Sequence, residues 1–128
     1  MDEILIGRFL RDATCKPIIW GRTDCAMIAA GVWSMVTGYD PMEGLHGAYS
    51  TRWQYMQIAM KEGGLQAMAR VRMDHPTAGP FKGDGIGFLS HRARKLFAVA
   101  VGGVWVAPAK EGGLVNVSDG QILEAWGW

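Results

Sequence analysis

A segment rich in residues that interrupt helices and strands, Asp74 to Gly83, divides this 128-residue sequence in two. It contains two prolines and two glycines within ten residues. Apolar residues recur at helical spacing before this segment and form short extended runs after it. Helices followed by antiparallel strands are typical of an α+β fold. The sequence therefore predicts N-terminal helices packed on a C-terminal antiparallel sheet of about four to five strands.

The second predicted helix is the most informative. Thr23 is a suitable N-cap, and Asp24 lies in the first turn, where the helix dipole favours a carboxylate. Apolar residues then recur at helical spacing until Gly38, and nearly every residue of the segment is apolar or small. We therefore expect this helix to be buried at the centre of the domain.

Other elements are predicted on both sides of the break. Trp53, Met56 and Met60 share one face of a helix, and we expect Trp53, like Trp33, to lie in the core. The remaining helices cover residues 2–13, 50–62 and 65–71, and the strands cover residues 85–89, 96–101, 104–107 and 114–117. Gly102-Gly103 predicts a hairpin turn, and the capping box Ser118-x-x-Gln121 predicts a short C-terminal helix.

Composition and charge narrow the classes of function. The chain has 13 Lys and Arg against 12 Asp and Glu, so broad binding to nucleic acid or an anionic membrane lacks its electrostatic driver. The longest apolar stretch, Phe97 to Ala109, has thirteen residues, fewer than the roughly 20 that cross a bilayer. The first residues do not resemble a signal peptide. We expect a single domain over residues 1–128, made in the cytoplasm, with no membrane insertion.

Cys25 is the first candidate for chemistry. It would lie near the N-terminus of the buried helix, where unpaired backbone N–H groups and the dipole lower the pKa of a thiol. A cysteine nucleophile requires such a position. The other interpretation is that Cys25, like many free cysteines, is a small buried hydrophobic residue.

Four segments together resemble the NlpC/P60 cysteine peptidases, which are cell-wall hydrolases with a compact papain-like fold. Trp20 to Met27 (Trp-Gly-Arg-Thr-Asp-Cys-Ala-Met) is similar to the family's nucleophile motif at the start of the central helix. Residues 83–88, 97–102 and 105–108 are similar to three strands of the family, in the same order and spacing. The resemblance covers about residues 18–126 and implies a papain-like fold.

The stretch from Trp20 to Tyr49 is closer still to a group of small uncharacterised phage and prophage proteins. It shares with them Trp-Gly-x-x-Asp-Cys, then Thr37-Gly38-Tyr39-Asp40-Pro41 and Gly47-Ala48-Tyr49. These proteins are encoded among tail genes. The resemblance implies synthesis in a bacterial host, a place in the virion tail, and other phage tail proteins as partners.

The sequence departs from the peptidases where their catalysis depends on it. The resemblance places the catalytic histidine at Leu96 and the polar residue that orients it at Val106. Neither side chain can accept a proton from a thiol or hold an imidazole. In addition, Ala26-Met27 replaces the Ser-Gly that follows the family's cysteine.

Three histidines could in principle replace the missing base. His91 is nearest in sequence to Leu96, whereas His46 and His75 lie in other predicted loops. For each, the alternative interpretation is a histidine on a surface loop. Their spacing from the cysteines and acidic residues matches no metal site, and we expect neither a metal nor a cofactor.

Six tryptophans exceed what one small core normally needs. Trp126 and Trp128, at the end of the chain, are predicted to anchor a partner, because tryptophan is enriched at interface hot spots. Trp20 and Asp24, beside Cys25, are further candidate contact residues.

These observations favour a non-catalytic structural or assembly protein of a phage tail tip or hub, built on an NlpC/P60-like fold. The alternative is an active cysteine peptidase or amidase that cleaves peptidoglycan peptides during phage entry. Cys25 would then be the nucleophile and His91 a displaced base. A third possibility, a thiol enzyme of another kind, rests on Cys25 alone.

Overall fold

The computed structural model describes residues 3–73 and 75–128, and within them it has four helices followed by five strands. The predicted α+β order is thus confirmed. Residue 2, the predicted start of the first helix, and Asp74, the first residue of the predicted break, lie outside the described residues. The elements are α1 (Glu3–Ala13), α2 (Cys25–Thr37), α3 (Arg52–Lys61), α4 (Leu65–Arg72), β1 (Gly85–His91), β2 (Arg94–Val101), β3 (Val104–Pro108), β4 (Leu114–Asn116) and β5 (Gln121–Gly127).

The five strands form one antiparallel sheet in the order β4-β3-β2-β1-β5. The predicted C-terminal helix is wrong, because the chain after Gln121 forms β5 and pairs with β1. The hydroxyl of Ser118 accepts the backbone N–H of Trp105 at 2.9 Å instead of capping a helix. A free edge of β1 is available for pairing only in the folded sheet, so local sequence favours the helix.

Side chains alternate between the two faces of the sheet, and α2 covers one of them. Its buried residues pack against Ile86 and Phe88 of β1 and against Phe97 and Val99 of β2. This confirms the prediction that α2 is the central buried helix. Among the described helices, none is long and apolar enough to cross a membrane.

The orientation of α3 differs from the prediction. Tyr55 and Ala59 face the core, whereas Trp53 and Met60 are each 68% exposed. The prediction that Trp53 is a core residue is therefore wrong. Tyr55 packs against the rings of Trp20 and Tyr49, with centroids 5.6 and 5.3 Å away, and these contacts turn Trp53 outward. Trp33 is partly buried against the core, as predicted.

The face of the sheet opposite α2 consists largely of glycine and alanine beneath one large ring. Trp105 of β3 reaches across to Gly87 of β1, and Phe81 packs on Trp105 with ring centroids 5.5 Å apart. A Cβ atom at Gly87 would lie 2.6 Å from Cη2 of Trp105 and 3.1 Å from the carbonyl oxygen of Glu124. Only glycine leaves room for the indole at this position.

Gly87→Ala should therefore lower the free energy of unfolding by about 1–3 kcal/mol, the usual cost of overpacking a core. Gly7→Ala is a matched control, since a Cβ at Gly7 on α1 meets nothing within 4 Å. That change should leave stability unchanged or raise it by up to about 1 kcal/mol, because alanine favours helix. Urea unfolding of both variants measures the difference; equal effects would contradict the packing of Trp105 on Gly87.

Candidate functional site

Asp24 organises the segment that resembles a nucleophile motif. Its side chain is 0% exposed and caps α2 by accepting the N–H of Met27 at 3.1 Å. The second carboxylate oxygen accepts the N–H of Gly21 and the hydroxyl of Tyr49, both at 2.8 Å. Asp24, not Thr23, is therefore the N-cap. The hydroxyl of Thr23 instead accepts the N–H of Ile19.

Gly21 allows the turn before α2 to approach the loop that contains Tyr49. Its φ is +85°, and a Cβ atom would lie 2.1 Å from the carbonyl oxygen of Tyr49. Both the conformation and the distance exclude a side chain. The glycine of Trp-Gly-x-x-Asp-Cys thus has a structural role.

Tyr49 and Tyr55 form a buried aromatic wall beside Asp24. They are 2% and 4% exposed. Burial raises the pKa of both phenols, and the negative charges of Asp24 and of an ionised Cys25 would raise it further. The Tyr49 hydroxyl donates a hydrogen bond to Asp24, whereas the hydroxyl of Tyr55 is buried with no hydrogen-bond partner among the described residues. Neither phenol is placed to act as a base near neutral pH.

Cys25 opens α2 and is partly buried against the core. Burial raises the pKa of its thiol to about 11; a backbone hydrogen bond with Phe97 opposes this, and the Asp24 carboxylate adds to it. The lowered pKa expected at a helix N-terminus is therefore wrong for this residue. Desolvation and the adjacent carboxylate outweigh the dipole, and one first-turn N–H is already bonded to Asp24.

The structure does not bring His91 to Cys25. His91 is two residues after Leu89 on β1, so its side chain points to the same face of the sheet as Leu89, the face opposite α2. The Nε2 atom of His91 lies 2.8 Å from Asp119. His91 is also three residues beyond Phe88, about 10 Å along the strand. His91 as a displaced base is therefore wrong.

The other two histidines do not bond to Cys25 either: one is paired with an aspartate, and the other lies in a separate groove. His46 lies 2.7 Å from Asp40, and His75 lines a groove beside Arg70. Within residues 3–73 and 75–128, no imidazole hydrogen-bonds to the Cys25 thiol. No group of three or more potential metal ligands is present among these residues either.

The β2 residue beside Cys25 is Phe97, not Leu96. Phe97 packs in the core beneath α2, and its backbone contacts the thiol, whereas Leu96 packs on the opposite face. Leu96, to which the resemblance assigned the catalytic histidine, therefore points away from Cys25, because neighbouring residues of a strand face opposite sides of the sheet. Val106 does face the helices. Neither phenylalanine nor valine can accept a proton.

The predicted contact residues are largely interior. Trp126 is 2% exposed within the core, so the prediction that it anchors a partner is wrong. Trp128 packs against Trp33, with ring centroids 6.1 Å apart, and Trp20 is partly buried against Tyr55. Asp24 is fully buried, and its carboxylate accepts hydrogen bonds that hold the start of α2 in place. Pairing of β5 with β1 draws the end of the chain into the core.

Sequence reasoning missed two polar contacts. Tyr49 belongs to the shared Gly47-Ala48-Tyr49 segment, which was a signal for its bond to Asp24. Glu124, 8% exposed on β5, binds Arg70 and accepts the amide of Gln66 at 2.9 Å. The hydrogen bond from Arg70 lowers the pKa of Glu124. A lone acid within the apolar run of β5 was the only sequence signal.

The fold and site define an α+β domain in which Asp24 caps the central helix and Cys25, partly buried, begins it. Among residues 3–73 and 75–128, no histidine is bonded to the thiol. The family model described as Domain of unknown function (DUF6950) matches residues 3–128, and the chain belongs to that family. No curated protein and no solved structure matches the chain.

The raised pKa predicts that Cys25 reacts slowly. At pH 8, a thiol of pKa about 11 is thiolate in roughly one molecule per thousand. Iodoacetamide should therefore label Cys25 at least about tenfold more slowly than exposed Cys15, and its rate should rise with pH until about pH 11. Mass spectrometry of the Cys15→Ser and Cys25→Ser variants assigns each rate. Equal labelling of both thiols at pH 7 would contradict the raised pKa.

Asp24→Ala should destabilise the fold more than loss of an ordinary helix cap. It removes a cap and leaves two buried donors, at Gly21 and Tyr49, without an acceptor, which costs about 2–5 kcal/mol. Thr51→Ala is the matched control, since Thr51 caps α3 through a single bond to Gln54 at 3.1 Å. That loss should cost about 1 kcal/mol. Equal destabilisation in urea unfolding would show that Asp24 is only a cap.

Proposed function

We propose that this chain is a non-catalytic structural or assembly protein of a bacteriophage tail tip or hub, built on an NlpC/P60-like fold. The observation that carries the proposal is the environment of Cys25. Its thiol has a raised pKa and is packed against Phe97, and no imidazole in the described part of the chain is bonded to it. Peptide hydrolysis by a cysteine needs a thiolate and a proton carrier. The raised pKa disfavours the thiolate, and among the described residues no imidazole is placed to carry the proton.

The arrangement of the elements supports the papain-like part of the proposal. The four segments that carry the resemblance lie on α2, β1, β2 and β3 or directly before them. α2 contacts all three of these strands, so the segments are neighbours in space as well as in order. The tail setting rests on the resemblance of the segment from Trp20 to Tyr49. The protein would be made in the host cytoplasm and then join other tail proteins in the virion.

The alternative function, cleavage of peptidoglycan peptides, would need two changes in the site. The Cys25 thiol would have to lose its proton despite burial and the neighbouring Asp24 carboxylate, which raise its pKa. A base would also have to replace Phe97, because His91 lies on the other face of the sheet. The geometry therefore favours the non-catalytic role.

Two measurements test the proposal. Purified protein incubated with peptidoglycan should release no more soluble peptide than Cys25→Ala does, since the thiol lacks a base. Mass spectrometry of purified tails from the phage that encodes the chain should detect the protein. Peptide release that is lost in Cys25→Ala would establish the hydrolase, and absence of the protein from both virions and tail intermediates would remove the structural role.

A further inference from the structure

The outer face of α3 presents two large apolar side chains to solvent. Trp53 and Met60 are each 68% exposed and are seven residues apart. Two helical turns separate them, so they lie on one face, about 10 Å apart along the axis. Gln57 lies between them and is also exposed. We name this surface, formed by Trp53, Gln57 and Met60, the α3 stripe.

The α3 stripe contributes little to the core, because the opposite face of α3 packs against it. Tyr55 and Ala59 are 4% and 0% exposed and belong to the main core cluster. Scattered exposed aliphatic residues are ordinary, but tryptophan is the residue most enriched at interface hot spots. Among the predicted partner anchors Trp126 is buried, whereas Trp53 has the exposure that an anchor needs.

The charge around the α3 stripe is positive. Arg52 and Lys61, the first and last residues of α3, are both exposed, and the helix contains no acidic residue. Glu62, which follows it, is paired with Arg72 at 3.1 Å. A partner that covers the stripe would therefore meet an apolar centre with a cation at each end.

We propose that the α3 stripe docks a segment of a partner protein that carries apolar side chains flanked by acidic ones. The kind of partner, another tail protein, rests on the proposed function; the chemistry of the segment rests on α3 alone. Apolar residues of the segment cover Trp53 and Met60, and its acidic residues pair with Arg52 and Lys61. Complementary charge at the rim selects the partner and orients it.

Charge and area argue against two other occupants. In an antiparallel pair of α3 helices, Arg52 would approach Lys61 of the second copy, and in a parallel pair like residues would meet. Either arrangement places cations together, which disfavours self-association. Membrane adsorption scales with the apolar area of a helix, and the larger apolar face of α3 is already buried in the core.

The test uses two labelled helical peptides of about 15 residues with the same leucines at helical spacing. One has glutamate at both ends and the other has lysine. By fluorescence anisotropy, the protein should bind the glutamate peptide at least about tenfold more tightly. Trp53→Ser should weaken that binding at least about tenfold, and added salt should weaken it through screening. Equal affinity for both peptides, or binding insensitive to Trp53→Ser, would overturn the proposal.

Matched variants make the result specific to α3. The exposed double variant Arg52→Glu/Lys61→Glu should reverse the preference in favour of the lysine peptide. Leu5→Ser, on α1, removes another apolar residue, 46% exposed, and should leave binding unchanged. Circular dichroism and unfolding curves confirm that each variant folds.

Two further measurements on the same protein test whether a second copy of the chain or a membrane covers the α3 stripe instead. Concentration-dependent dimerisation in sedimentation equilibrium, lost in Trp53→Ser, would overturn the proposal in favour of a second copy. Binding to phosphatidylglycerol vesicles with the same dependence on Trp53 would do so in favour of a membrane. Because no arm involves Cys25, failure of peptide binding leaves the non-catalytic assignment standing, and peptidoglycan cleavage would leave the peptide result standing.

Discussion

The buried carboxylate of Asp24 is the interaction on which the helical layer depends. It joins three separate pieces of chain: the turn at Gly21, the first turn of α2, and the loop that contains Tyr49. A buried carboxylate is costly unless its oxygens are hydrogen-bonded, and here both are. The bonds fix where α2 begins and hence how it lies on β1, β2 and β3. Asp24 thus contributes to architecture through a motif that resembles a catalytic one.

The same interaction determines the chemistry of its neighbour. A helix N-terminus usually activates a cysteine, but Cys25 lies beside the Asp24 carboxylate and is packed against the hydrophobic core. Burial and the charge of Asp24 raise the pKa of the thiol to about 11. Position at a helix terminus is therefore insufficient to predict an active thiol, because the sign of the shift depends on what surrounds the sulfur.

The two faces of the sheet explain which site predictions failed. Along β2, Leu96 and Phe97 are adjacent in sequence, yet one packs opposite α2 and the other beneath it. A one-residue difference in alignment therefore reverses a side chain. His91 likewise lies on the face of the sheet opposite α2 and cannot act as a base for Cys25. Long-range contacts also explain why Trp53, predicted to be buried, is exposed and Trp126, predicted to be exposed, is buried. Tyr55 occupies the core-facing position of α3, and pairing of β5 with β1 buries Trp126.

Local sequence was sufficient for the order of the elements, the four helices and four of the five strands, because hydrophobic periodicity and glycine or proline breaks act over a few residues. It also identified Cys25 at the start of the central helix. Only the tertiary structure decided that residues 121–127 form a strand and that Tyr49 bonds to Asp24. It also decided that none of the described histidines, His46, His75 and His91, bonds to the thiol, and that Trp53 faces solvent. Each of these depends on contacts between residues far apart in the chain, whose register and desolvation no local pattern specifies.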